Sequence, residues 1–350
     1  MMTIEELIRQ AREDGASDIH LIYGLPPMYR VAGRLLPMRG ETLTDEACDA
    51  LAHHLAGERY PQLLKTGELD GAATMEGVRI RINLFRQQDH TSAALRLLSD
   101  QIPALEKLGL PPKVVELTEE ERGIILVTGE TGSGKSTTLA AMIDRINHQR
   151  AEHIITLEDP IEYLYTPDKC IFNQREIGRD TAGFSSGLRA ALREDPDIIL
   201  VGEMRDLDTI ETALTAAETG HLVLATLHTG SASDSIDRMV DVFPEARQRQ
   251  IRMQVSMTLK AVLSQQLLPA KDEQSRVCAC ELMVVTPAIR NLIREGKTPQ
   301  IENALATSAS EGAVTMDNAI LNLFRGGKIS LNTAKRAAHD ADYLERLLRR

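Results

Sequence analysis

Residues 123–143, GIILVTGETGSGKSTTLAAMI, pass from an apolar run through a glycine-rich loop into an amphipathic segment. Three more apolar runs follow, HIITL, DIILV and HLVLATL, separated by GFSSGLRAALRE and DTIETALTAAET. Strands this continuously apolar are buried on both faces of a sheet, so helices must cover both sides. The alternation therefore predicts an α/β unit with a mostly parallel, doubly wound sheet. From about Pro244 the pattern predicts a mainly helical region, except for the strand-like VCACELMVV.

The loop from Gly129 to Ser136 fits G-x-x-x-x-G-K-[ST] with a strand before it and a helix after it. Gly129, Gly132 and Gly134 let backbone N–H groups turn towards phosphate oxygens, and the helix N-terminus adds its positive dipole end. Lys135 is placed to reach the β- and γ-phosphates, and Ser136 to put its hydroxyl on Mg²⁺. With Thr131, Ser133 and Thr137 these residues form the expected nucleotide-binding set, with ATP and Mg²⁺ as cofactors.

Two further runs end in acids at the carboxyl edge of such a sheet. PDIILVGEMRD supplies Glu203 after Gly202, where many P-loop enzymes carry Asp-Glu. HIITLEDPIEYLY supplies Glu158, Asp159 and Glu162, candidates for general-base and magnesium roles. Ser136, Glu203 and Glu158 make up the candidate metal set. TGHLVLATLHTGSA puts His221 and His228 at the two ends of the next strand. A small-residue loop follows His228, which could then sense the γ-phosphate, though spacing alone does not assign that role.

The first hundred residues read differently. Thr3 and Glu6 have the spacing of a capping box, with Gly15 ending the helix. SDIHLIY and MYRVAGRLLPM read as strands, the second turning near Gly33, and Thr44 caps DEACDALAHHLA. LDGAATMEGVRIRINLFRQ reads as a hairpin turning at Glu76-Gly77. Its second strand puts Val78, Ile80, Ile82 and Leu84 on one face, and Arg79, Arg81 and Asn83 on the other. Prolines 103, 111 and 112 mark a linker, giving domains at 1–100 and 119–350 with 101–118 between them.

Composition excludes several functions. The net charge is −11, which disfavours a non-specific grip on nucleic acid or on an anionic membrane. Aromatics are 3% with no Trp, which disfavours a base-stacking platform. No direct nucleic-acid partner is expected, and a RecA-like DNA translocase is the weaker reading. Four scattered cysteines make neither a disulfide framework nor a zinc site. No run approaches a membrane span, and the amino terminus lacks a secretory pattern, so a cytoplasmic location is expected.

GETGSGKST, LEDPIEY, VGEMRD and TGHLVLATLHT together resemble the Walker A, Asp box, Walker B and His box of the secretion and type IV pilus ATPase superfamily, in that family's order. The Gly-Glu Walker B is characteristic of that family. The resemblance covers nearly the whole chain, including GASDIHL near its start. It implies a PAS-like amino-terminal domain, a RecA-like P-loop ATPase domain with its helical carboxyl-terminal region, and assembly as a homohexamer. It also implies Glu203 as the Walker B acid, Glu162 as the Asp-box carboxylate, and His221 and His228 as the His-box pair.

Phosphoryl transfer needs positive charge beyond Lys135 and magnesium. Arg79, Arg81 and Arg96, together with Arg193, are candidates to supply it. Ala288, Ile289, Arg290, Asn291, Leu292, Ile293, Arg294 and Glu295 match AIRNLIRE, a motif associated with the family's pilus retraction members. Here Ala288, Ile289, Leu292 and Ile293 form an apolar helical stripe. The implied function is pilus retraction from the base of the fibre at the inner membrane. The implied partners are a membrane platform protein and a second retraction ATPase. An accessory retraction ATPase, a secretion or assembly ATPase, and a non-catalytic ring scaffold are the alternatives.

Overall fold

A computed structural model describes residues 2–98, 101–272, 275–341, 344 and 346. The chain divides into Met1–Gln101 with Pro160–Leu164, and Ile102–Asp159 with Tyr165–Arg350. Residue 100, where the first domain is expected to end, and residues 347–350 lie outside the described residues.

In the first unit, α1 (Ile4–Glu13) starts on a complete capping box. The Thr3 amide donates to Glu6 Oε2 at 2.9 Å, and the Glu6 amide donates to Thr3 Oγ1 at 3.3 Å. Ile4, Leu7, Ile8 and Ala11 recur at helical spacing and are buried. Next come β1 (Ala16–Leu21), β2 (Met28–Val31), β3 (Arg34–Pro37), α2 (Asp45–Ala56, capped by Thr44) and α3 (Tyr60–Thr66). β4 (Glu68–Met75), β5 (Val78–Gln87) and β6 (His90–Leu97) complete an antiparallel sheet in the order β3-β2-β1-β6-β5-β4. This is the PAS-like domain. Val78, Ile80, Ile82 and Leu84 of β5 are buried, and Arg81 on the opposite face is exposed. Arg81 sits directly across from Arg96 of β6, which in turn sits across from Asp18 of β1. Arg96 Nε donates to Asp18 at 2.9 Å, so an acid offsets the repulsion of two facing arginines.

The second unit opens with α4 (Lys113–Leu117), inside residues 101–118, with Val114 and Leu117 buried. Then follow β7 (Gly123–Thr128), α5 (Lys135–Gln149), β8 (His153–Glu158), β9 (Ile171–Glu176), α6 (Phe184–Ala191), β10 (Ile198–Val201), α7 (Leu207–Glu218) and β11 (Leu222–Leu227). Every residue of β7, β10 and β11 is buried, as their unbroken apolar sequences require. After α8 (Ala232–Asp241) and α9 (Glu245–Thr258), the chain enters β12 (Leu259–Pro269) and β13 (Arg276–Val284). The helices α10 (Pro287–Glu295), α11 (Ile301–Thr307), α12 (Met316–Arg325) and α13 (Leu331–Ala337) complete the described part.

The sheet order is β13-β12-β7-β11-β10-β8-β9, parallel except for β13. The helical region expected from residue 244 is therefore interrupted by a strand pair that extends the main sheet. IRMQVSMTLKAVLSQQLL has no Gly or Pro to mark where α9 stops. The backbone turns extended at Leu259, where pairing with β7 begins.

Candidate nucleotide-binding and catalytic site

Parallel pairing brings the ends of β7, β11, β10 and β8 to one edge, with Thr128 opposite Leu227 and Val201 opposite both Ala225 and Leu157. Residues that follow these strands are collected there. After β7 the backbone turns at Gly129, with φ +139°. A Cβ at this position would lie 2.4 Å from the Gln265 carbonyl oxygen and 2.6 Å from Ser133 Oγ, so glycine alone fits. Gly134 takes the left-handed conformation that starts α5, whose first turn has no side-chain cap. Its leading N–H groups are therefore available to an anion.

Lys135, 9% exposed, folds over the loop and donates to the carbonyls of Gly129 at 2.8 Å and Glu130 at 2.9 Å. Ser133 Oγ is buried without a hydrogen-bond partner. Thr131 and Ser136 are exposed beside it. An orphaned hydroxyl, an uncapped helix end and a lysine curled on its own loop fit a phosphate chain. Ser136 would hold the accompanying magnesium. No cluster of three or more His, Cys, Asp or Glu among the described residues is arranged for a metal ion, so Mg²⁺ would rest chiefly on phosphate and water oxygens, its usual preference.

On the neighbouring strands, Glu203 is 17% exposed and meets His228 Nε2 at 3.3 Å and Arg205 Nη2 at 2.6 Å. Partial burial opposes ionisation of Glu203. The Arg205 hydrogen bond and the adjoining His228 and Arg205 side chains outweigh it and hold the carboxyl below its usual range. Arg205 is 65% exposed, and so exposed a pair contributes at most about 1 kcal/mol, which leaves it free to exchange partners. Gly202 also has a local reason. A Cβ there would sit 3.0 Å from the Leu157 carbonyl oxygen, against the backbone of β8. The strand ends with space for one carboxylate, Glu203.

The acids after β8 separate. Glu158 Oε1 accepts from Thr156 Oγ1 at 2.6 Å and from Gln174 Nε2 at 3.3 Å. Asp159 contributes its charge to Arg205. Glu162 belongs to Pro160–Leu164, which groups with the amino-terminal unit, and there Arg79 Nε donates to the Ile161 carbonyl at 3.0 Å.

Two candidates lie elsewhere in the second unit. His221 precedes β11, about 20 Å from the edge that carries His228. Its Nδ1 faces the Ala216 carbonyl at 2.9 Å. Arg193 follows α6 and precedes β10, so it too lies at the amino-terminal edge, donating to the Arg189 carbonyl at 3.0 Å. Neither is brought to this chain's own P-loop.

The AIRNLIRE helix, α10, is capped by Thr286 and ended by left-handed Gly296. Ile289 and Ile293 are fully buried and Leu292 partly so, but Ala288 is exposed. Ala288 leaves the expected stripe because helical spacing puts it about 120° around the helix from the centre of the buried Ile289–Ile293 pair. Asn291, Arg294 and Glu295 are exposed, with Asn291 Nδ2 donating to Glu295 at 2.9 Å.

Two participants were not among the candidates. Arg205 lies within VGEMRD, two residues beyond Glu203, but carries no role in the sequence reading. Gln265 closes one side of a cavity of about 320 Å³ that also involves Ser133, Thr137, Leu267 and Cys278. Its Nε2 donates to Thr138 Oγ1 at 2.9 Å.

Residues 1–336 match the family model described as Type II/IV secretion system protein. The chain is 46% identical over 342 residues to the type IV pilus retraction ATPase PilT of Pseudomonas aeruginosa, across 96% of this chain and 98% of that protein. It is equally, 46%, identical over 329 residues to the uncharacterised protein YggR of Escherichia coli, across 94% and 100%. The crystal structure of the pilus retraction motor PilT with bound ADP superposes with a TM-score of 0.93 at 47% identity, covering 99% of this chain and all (100%) of that one.

Proposed function

The chain belongs to the Type II/IV secretion system protein family and is an ATPase, and from that premise we propose that it is the hexameric motor that retracts type IV pili. The observation that carries the chemistry is the placement of Lys135, Glu203 and His228 after adjacent strands at one sheet edge. Lys135 leaves the loop carbonyls to bind the β- and γ-phosphates, while the first turn of α5 donates backbone N–H groups. Ser136 would hold magnesium, which when bound would supply positive charge beside the phosphates. Glu203 orients the attacking water, and His228, touching Glu203, reports the γ-phosphate to the β11–α8 loop.

Glu162 is the Asp-box acid of the amino-terminal unit, whereas Glu158 stays with the sheet. Positive charge for the transferred group comes from a neighbouring copy. Arg81 is the foremost candidate, since Arg79 holds the Ile161 carbonyl and Arg96 holds Asp18. His221 and Arg193, at the far edge, face other surfaces of the ring. Asn291, Arg294 and Glu295 form the exposed side of the retraction-associated helix. The motor works from the cytoplasm on an inner-membrane platform protein, drawing pilin subunits out of the fibre base. No helix among the described residues is long and apolar enough to cross a membrane, which fits attachment through a partner.

The test is a chromosomal Lys135→Ala change in the native host, with surface pili counted and twitching scored. Abundant pili that do not retract are expected. Absence of pili would assign the motor to assembly, and unchanged twitching would remove it from pilus dynamics. In the purified protein, His228→Ala is expected to lower turnover while ATP binding is kept.

A further inference from the structure

We infer that Glu281 is a positioning residue that holds the β11–α8 loop, and through it His228, against Glu203. This rests on the role proposed above for His228. Glu281 lies in β13 opposite Ser264 of β12, which is itself opposite Thr128, the last residue before the P-loop. It is 7% exposed, and it is a carboxylate without a basic side chain bonded to it among the described residues. Its Oε1 accepts from the Ala232 amide at 2.8 Å, and its Oε2 from the Met316 amide at 3.4 Å. Ala232 and Met316 are the first residues of α8 and α12. One buried carboxyl group therefore ties together the amino-terminal ends of two helices, where negative charge is most favourable.

The loop needs such a tie. Ser231, Ser233 and Asp234 line a cavity of about 800 Å³ together with Glu281, Glu302 and His339, so packing holds only one side of that stretch, through buried Ala232. Internally the stretch is rigid: Thr229 Oγ1 meets Ser235 Oγ at 2.7 Å, and Ser235 Oγ donates to the Ser231 carbonyl at 2.6 Å. A displacement of Ala232 is consequently carried back to His228, four positions upstream, whose contact with Glu203 is already 3.3 Å. The second oxygen extends the same tie to α12, so the carboxyl-terminal helices and the catalytic edge share one group.

The experiment is Glu281→Gln in the full chain, alone and combined with His228→Ala, with kcat, KM for ATP, binding of a non-hydrolysable ATP analogue and thermal stability measured for each. The amide keeps the volume but turns one acceptor into a donor facing an N–H. We expect kcat to fall by about tenfold or more, as displaced catalytic groups do, with KM and analogue binding within about twofold. In the His228→Ala background, Glu281→Gln should cause no further loss. Equal losses in both backgrounds, or an unchanged kcat for Glu281→Gln alone, overturn the inference. If His228→Ala leaves kcat unchanged, the reading of His228 itself fails, and this inference with it.

Should Glu281→Gln not fold, Ala232→Pro removes the donor instead. Ala232 is the first helical position, where proline is favoured, and Ser231 already has φ −138° and ψ 167°, suited to precede one. The same loss of kcat is expected, and an unchanged kcat overturns the inference.

Discussion

The two sheets differ in how their sequences specify them. The amino-terminal sheet is antiparallel and shows one face to its helices, so its strands alternate, as in the buried and half-exposed positions of β5. The second sheet is parallel in all but one strand and covered on both sides, so β7, β10 and β11 are apolar throughout. In the first, neighbouring strands are mostly joined by tight turns and local sequence sets the pairing. In the second, partners are far apart in sequence, and the strand ends converge on a site that no single segment contains. The contrast ties chemistry to the region that is costliest to disturb.

The largest contrast is expected between two glycines. Gly129→Ala puts a Cβ against the Gln265 carbonyl and Ser133 in a left-handed turn, and should abolish ATP binding and turnover. Gly77→Ala in the β4–β5 turn, where the nearest atom would be 3.8 Å away, should cost about 1 kcal/mol of left-handed strain and spare turnover. ATPase assays beside thermal melts separate the two, and retained turnover in Gly129→Ala would break the comparison.

Next in size is packing. Leu126→Ala, in fully buried β7, should lose about 2–5 kcal/mol in denaturant titrations. Leu35→Ala, on edge strand β3 and 50% exposed, should stay within about 0.5 kcal/mol. Comparable losses would mean that the first sheet's edge is covered in the assembled protein.

Thiol chemistry compares the units without mutation. Burial pushes Cys48 of the first unit and Cys278 of the second up to about 11. At pH 8 each thiolate should be about a hundredfold scarcer than in the unfolded chain, so alkylation should be slow until the surrounding unit opens. The sign follows from the raised values. The neutral thiols' contribution to stability is complete below the ordinary value of 9.0 and is lost as pH rises through about 11. ATP should slow labelling of Cys278, which lines the cavity beside the P-loop, and leave Cys48 unchanged. Mass spectrometry of the labelled peptides reads both rates.

A local effect of modest size belongs to a helix cap. Thr3→Ala removes one half of the capping box of α1 and should cost about 1 kcal/mol, read in the first unit's melting alone.

What was legible in the sequence follows the same division. The Thr3–Glu6 box, the Thr44 cap and the Glu76–Gly77 turn are local arrangements, and each forms as its spacing predicts. The four apolar strands are equally plain, because burial on both faces leaves no polar positions to confuse the period. β9 escaped because it is an edge strand with exposed and half-exposed residues. β12 escaped because α9 runs into it without punctuation. At the site, the strand-end motif pointed to Glu203 and carries its neighbour Arg205, but the contacts of Gln265 and Glu281 arise only when distant strands pair. His221 shows the converse. Two histidines bracket one strand, and the strand's length alone places them at opposite edges.

The five residues Pro160–Leu164 group with a unit that otherwise ends at Gln101. Ile161 is 7% exposed, and its carbonyl takes the Arg79 hydrogen bond. During synthesis the amino-terminal sheet therefore leaves the ribosome without its last piece, which follows about sixty residues later, or roughly 3–12 s at ordinary elongation rates. By then β7, the P-loop and α5 have emerged as well. The first unit completes its packing only after the nucleotide-binding segment exists, so maturation of the two is interleaved in time although each has its own core.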